Sequence, residues 1–138
     1  MRIVIDNNLW ISFLIGKRLS SLRPIFNRTD FEVYFCDELE QEFLAVSHRT
    51  KIMKYIAESQ IQSVHQLMID KCHYHRITLK NDNQVRDPRD NYLLELAEWV
   101  RADYLVTGDA DLLTIEQYHN TKIVTFNMFL ESIVEKNE

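Results

Sequence analysis

Apolar residues fall along the chain in two rhythms. Short solid blocks at Ile3–Ile5, Glu32–Phe35, Ile77–Leu79 and Tyr104–Val106 have the length and the β-branched or aromatic content of buried strands. Lys122–Val124 is a weaker fifth block. Between the blocks, apolar positions recur at helical spacing. The stretch "NLWISFLIG" predicts a first helix, with Asn8 as N-cap and Gly16 as its stop. A short helix is expected to start near Ser20 or Pro24. "DELEQEFLAVSH" places Asp37 at an N-cap and Glu40 three residues later, the capping-box spacing. A longer helical region runs from about Lys51 to Cys72. "DPRDNYLLELAEWV" sets Asp87 at an N-cap and Pro88 at the first helical position. The last helix, "FNMFLESIVEK", frays into a charged tail at Glu135–Glu138.

Strands alternating with helices predict a three-layer α/β/α fold, with a parallel sheet of four to five strands between helices. In such sheets the reactive crevice lies beyond the carboxyl ends of the strands. Acids can therefore be judged by position. Asp6 follows Ile5 directly, and Asp109 follows the run "YLVTG". Glu42 borders the apolar stripe of Leu39, Phe43 and Val46 on its helix. Asp90 borders the stripe of Leu93, Leu94 and Ala97, with Asn91, Glu95 and Glu98 on the opposite, solvent-facing side.

Each acid also has a structural account. Asp6 and Asn8 can turn the chain and cap a helix. Asp109 suits an N-cap, Asp111 and Asp90 suit first-turn positions favoured by the helix dipole, and Glu42 can pair with an Arg. Together they ask for more. In a parallel sheet Asp6, Asp90 and Asp109 start helices at one end, and Glu42 lies on a helix that reaches the same end. Carboxylates about 4 Å apart repel by roughly 4 kcal/mol at an effective dielectric near 20. They converge only if some protonate or a cation joins them. Oxygen ligands without His or Cys indicate Mg²⁺ or Mn²⁺, ions that activate water and stabilise charge on a phosphodiester.

Composition narrows the classes. The 138 residues suit one domain, read as 1–138 with the short tail at 135–138. A formal charge of −5, from 16 basic and 21 acidic residues, argues against simple electrostatic coating of nucleic acid. It does not argue against a nucleic-acid enzyme whose acids are gathered at a metal site. Cys36 and Cys72 match no metal or redox spacing, and two isolated thiols fit a reducing cytoplasm. No apolar run approaches a membrane span, and the N-terminus has no signal-peptide pattern, so no membrane role is expected. A Gly-rich phosphate loop and a Ser or Cys nucleophile motif are both missing.

At this point the chain resembles a known family. "VIDNNLWIS", "ELEQEFLAV", "RDPRDNYLLELAEWVRADYLVTGDADLL" and "IVTFNMFLES" are similar to successive motifs of PIN-domain nucleases, above all the toxins of toxin–antitoxin pairs. The likeness runs from about Arg2 to Val134, and Asp87 to Leu113 is its most specific part. It implies a PIN-like fold, a metal-dependent ribonuclease site, an RNA substrate, an antitoxin partner and a possible homodimer. By motif, Asp6, Glu42, Asp90 and Asp109 take the places of the four family acids. Asp6, Asp90, Asp109 and the extra acid Asp111 are then the metal ligands. Glu42 helps bind a metal or orients the attacking water. Asn8 accompanies the first acid, Thr107 precedes the fourth, and Asp87 belongs to the "DPxD" form of the subgroup, mainly as a cap. Asn7 departs from the pattern, standing where a small hydroxyl residue is usual; its side chain is expected to point away from the site.

Basic residues must guide a substrate. Arg86 and Arg89 flank the acidic motif and are the better candidates, with Lys17 and Arg18 next. Two other classes compete. A non-catalytic module would use "LWISFLIG" or the region from Lys51 to Cys72 as a partner surface. A receiver-type phosphoacceptor would need an Asp after a middle strand and a Lys after a late one, whereas Lys122 begins its strand.

Overall fold

The computed structural model describes residues 1–16, 19–78 and 91–134. Arg2–Ile5 form β1, whose last three residues are buried. It pairs in parallel with β2 (Glu32–Phe35) on one side and β4 (Tyr104–Val106) on the other. β3 (His73–Tyr74) flanks β2, and β6 (Thr121–Val124) flanks β4, both in parallel. β5 (Gln117–Tyr118) pairs antiparallel with β6 and completes the order β3-β2-β1-β4-β6-β5. β1 and β4 thus lie at the centre, buried on both faces as parallel strands require.

The sheet departs from the expected one in three ways. Among the described residues it has six strands, and one edge is antiparallel. The expected strand at Ile77–Leu79 is not formed at Ile77 or Thr78, and Leu79 lies outside the described residues. The strand that pairs with β2 lies earlier, at His73–Tyr74. Ile77 is buried all the same, so the apolar block marked burial and not a strand.

Helices follow the strands. α1 (Asn7–Ile15) starts directly after β1, and its N-cap is Asp6, not Asn8: the Asp6 side chain accepts from the Asn8 amide. Gly16 ends the helix as expected. A 3₁₀ turn at Leu19–Leu22 leads into the short α2 (Arg23–Phe26). α3 (Asp37–Ser47) is capped by Cys36 and has no side-chain cap, so Asp37 is its first residue and the expected capping box is absent. Asp37 instead accepts from the Tyr74 hydroxyl, and Glu40 meets His65 at 2.7 Å. The region from Lys51 to Cys72 divides into α4 (Thr50–Met53) and α5 (Glu58–Lys71). α6 (Asn91–Val100) packs on β1, β2 and β4. α7 (Ala110–Ile115) follows β4, and α8 (Phe126–Phe129) continues into a π-helical turn at Leu130–Val134.

The core is built from β1, α1, α3 and α6. Ile3, Val4, Trp10, Leu39, Phe43, Leu93, Leu96 and Phe129 are at most 1% exposed. α6 overturns its expected polar face: Tyr92 through Ala97 are all buried, Glu95 at 3% exposure, and Glu98 is half-buried. A helix lying over the sheet centre and under its neighbours has little solvent side to offer.

Candidate functional site

The carboxyl ends of β1 and β4 adjoin. The Asp6 amide donates to the Val106 carbonyl at 2.9 Å, and the Thr107 amide donates to that of Val124, also at 2.9 Å. Strand pairing therefore sets Asp6 beside Thr107, one residue beyond the last pair of each strand. Asp109 then caps α7, accepting from the Leu112 amide at 3.2 Å.

Asp6 is 2% exposed, and its two oxygens are held separately. One accepts from the Asn8 amide at 3.1 Å, and the other from the Thr107 hydroxyl at 2.6 Å. Thr107, fully buried, also accepts from the Asp109 amide at 3.0 Å. One hydroxyl thus ties both acidic positions together. Burial pushes the Asp6 carboxyl above the usual Asp range; the Thr107 hydroxyl and the Asn8 amide pull it down, and the charges of Glu42 and Asp109 push it up again. That balance identifies the neighbours: Glu42, half-buried on α3, and Asp109, half-buried at the head of α7, both act on Asp6.

The expected acids are thus partly brought together. Asp6, Glu42 and Asp109 share one end of the sheet, with Asp111 half-buried in the first turn of α7. Asp87 and Asp90 lie outside the described residues, as do Arg86, Arg89, Lys17 and Arg18. Asn8 is exposed, and its role here is that of its backbone amide. Asn7 is fully buried, and neither atom of its carboxamide has a hydrogen-bond partner among the described residues.

The donor set suits a hard divalent cation in its chemistry. Each Asp6 oxygen accepts one hydrogen bond and keeps a second lone pair. The crowding of like charge is of the kind that a cation relieves. Among the described residues, however, no three His, Cys, Asp or Glu already stand close enough to hold an ion by themselves.

Tyr92 went unnoticed in the sequence reading. It lies on α6, 6% exposed, and its hydroxyl has no hydrogen-bond partner among the described residues. Burial, and then the charge of Glu42 and the hydrogen-bonding approach of its carboxylate, hold this phenol far above the ordinary Tyr value, so it keeps its proton. The available signal was a tyrosine two residues after Asp90, on a helix expected to face the site.

Comparisons with known proteins follow this geometry. No curated protein sequence matches. In fold, the chain is similar to one in the crystal structure of VapBC2 from Rickettsia felis bound to a DNA fragment from their promoter, with a TM-score of 0.59 at 14% identity, covering 89% of this chain and 97% of that one. The PIN domain of T. brucei RRP44 gives a TM-score of 0.52 at 13% identity, covering 98% of this chain and 82% of that one. At such identities the likeness is one of fold. The sequence itself matches the model of the PIN domain over residues 2–111, most of its length. With acids gathered at the carboxyl ends of two central parallel strands and a family match that spans both, the chain belongs to the PIN domain family, a family of nucleases.

Proposed function

We propose that this protein is a divalent-metal-dependent endoribonuclease, and the toxin of a toxin–antitoxin pair acting in the cytoplasm. The observation that carries the nuclease reading is the buried Asp6 carboxylate at the end of the central strand, with Glu42 and Asp109 acting on it. A turn or a cap does not need two further acids acting on a buried one. Fold likeness to a chain of VapBC2 supports the toxin role and an antitoxin partner.

In the mechanism, Asp6, Asp109 and Asp111, joined by Asp90, would hold Mg²⁺ or Mn²⁺. When bound, such an ion acidifies water and offsets charge on the phosphodiester. Thr107 and the Asn8 amide fix the Asp6 oxygens, so their remaining lone pairs are directed before substrate arrives. Glu42 orients the water that attacks phosphorus in line, leaving a 5′-phosphate and a 3′-hydroxyl without a covalent enzyme intermediate. Arg86 and Arg89 supply positive charge to the RNA backbone, supported by Lys17 and Arg18.

The test is cleavage of defined RNAs with Mn²⁺ by the wild type and by Asp6→Asn. Loss of cleavage in the variant is expected, and equal cleavage by both proteins rejects the assignment. A wild type that binds Mn²⁺ without cutting any RNA would favour the non-catalytic partner module. For the toxin role, expression should arrest growth with the wild type and not with Asp6→Asn. Co-expression of a small DNA-binding protein encoded beside it should relieve the arrest.

A further inference from the structure

α3 packs against α6, which brings the Glu42 carboxylate and the Tyr92 hydroxyl into one buried corner of the site. Tyr92 is 6% exposed and its oxygen is shielded from solvent; no well-formed hydrogen bond reaches it among the described residues, but the Glu42 carboxylate lies close enough to act on it as a hydrogen-bond acceptor. Buried tyrosine hydroxyls ordinarily have a partner, and one without is costly to keep. The ring alone would pack as well in a phenylalanine. The two carboxylates whose charge acts on this hydroxyl are Glu42, more strongly, and Asp6. Asp6 already has a donor on each oxygen, the Asn8 amide and the Thr107 hydroxyl. Of the two, Glu42 is the one within hydrogen-bonding approach of the hydroxyl.

We infer that Tyr92 is a positioning residue: its hydroxyl donates to Glu42 and fixes that carboxylate for the attacking water. This rests on the nuclease reading above. Glu42 is half-buried on a helix, and a glutamate side chain there has rotamers to choose among. A donor on one oxygen selects a single rotamer and leaves the other oxygen to face the water.

The test compares Tyr92→Phe, Glu42→Gln and the double variant with the wild type, and with Asp6→Asn as reference. Tyr92→Phe removes one oxygen and should melt close to the wild type. It should lower kcat about tenfold, the loss of one charge-assisted hydrogen bond in the reacting state, and leave KM within twofold. In the Glu42→Gln background the same change should cost less than twofold. An equal cost in both backgrounds shows that Tyr92 acts without Glu42 and overturns the inference. So does full kcat in Tyr92→Phe while Asp6→Asn is inactive. If Asp6→Asn cleaves as well as the wild type, it is the nuclease reading that fails. A second measurement is independent of turnover. In metal-free protein carrying ¹³Cζ-tyrosine, Glu42→Gln should shift the Tyr92 resonance and leave those of Tyr55 and Tyr118 in place. An unmoved Tyr92 resonance overturns the inference whatever the activity.

Discussion

Asp6→Asn separates a structural acid from a functional one through stability, before any substrate is added. Asn is as good an N-cap as Asp, so the bond from the Asn8 amide survives the exchange. The Thr107 hydroxyl can donate or accept, so it can face the new amide group as it faced the carboxylate. What disappears is a negative charge at 2% exposure, opposed by Glu42 and Asp109. A like charge held several ångströms off in a protein costs on the order of 2 kcal/mol at an effective dielectric near 20. Exchanging charge-assisted hydrogen bonds for neutral ones returns about 1 kcal/mol for each of the two. The net expectation is that Asp6→Asn in EDTA is as stable as the wild type or about 1–2 kcal/mol more stable. For a chain of this size that is roughly 3–8 °C in Tm. Mn²⁺ at 100 times its Kd should then raise wild-type stability by about 2.7 kcal/mol and leave Asp6→Asn nearly unchanged. Urea unfolding with EDTA and with Mn²⁺ measures both. A variant clearly less stable than the wild type in EDTA would mean that the carboxylate serves the fold, and the reasoning would be wrong.

Thr107→Val keeps the buried shape, removes the donor to Asp6 and strips the Asp109 amide of its acceptor. It should cost about 2–4 kcal/mol in urea unfolding, and a cost below about 0.5 kcal/mol would contradict the bridge. His48 places one ring nitrogen 2.6 Å from the Leu44 carbonyl and the other 2.7 Å from Glu58, two acceptors that are both satisfied only by the protonated ring. Its pKa lies above the ordinary His value, first because of the Leu44 carbonyl and then because of Glu58. The stabilisation is fully present below the unfolded value of about 6.5 and is lost as pH rises through the raised folded value. An NMR titration should find that raised midpoint, and His48→Gln should remove the matching fall in Tm as pH rises above the unfolded value. Arg101 ends α6 with φ 53°, a left-handed conformation that glycine adopts without a steric penalty. Arg101→Gly should raise stability by about 0.5–1 kcal/mol, read as a higher urea midpoint at unchanged slope.

The central strands were legible because parallel strands buried on both faces read as unbroken apolar blocks, and Ile3–Ile5 and Tyr104–Val106 are such blocks. The residues that end them could be found by the same rule, which is why Asp6, Thr107 and Asp109 were in view from the start. The edges were not legible. β3 and β5 have two residues each, too few for a period, and β3 is formed by His73 and Tyr74, both exposed. Caps were misread at Asn8 and Asp37 because an acid or amide beside a helix start fits neighbouring cap positions equally well. Glu95 was misread because periodicity assumes one wet face, and α6 has almost none. Tyr92 lay hidden for the opposite reason: an aromatic on a helix reads as core, and the pattern is silent on where its hydroxyl ends.

The short edge strands carry a consequence for company. A sheet commonly recruits another chain by letting it add a strand along an open edge, where each added residue gains main-chain hydrogen bonds. Among the described residues both edges are two-residue strands, β3 on one side and the antiparallel β5 on the other. An incoming strand would find about one exposed donor and one exposed acceptor on either side before the register ran out. Zippering onto the sheet is thus a poor way to bind this protein or to aggregate it. A partner is then better served by side chains on the helices, and one that settled over Asp6, Glu42 and Asp109 would cover the residues to which the proposed nuclease activity is assigned.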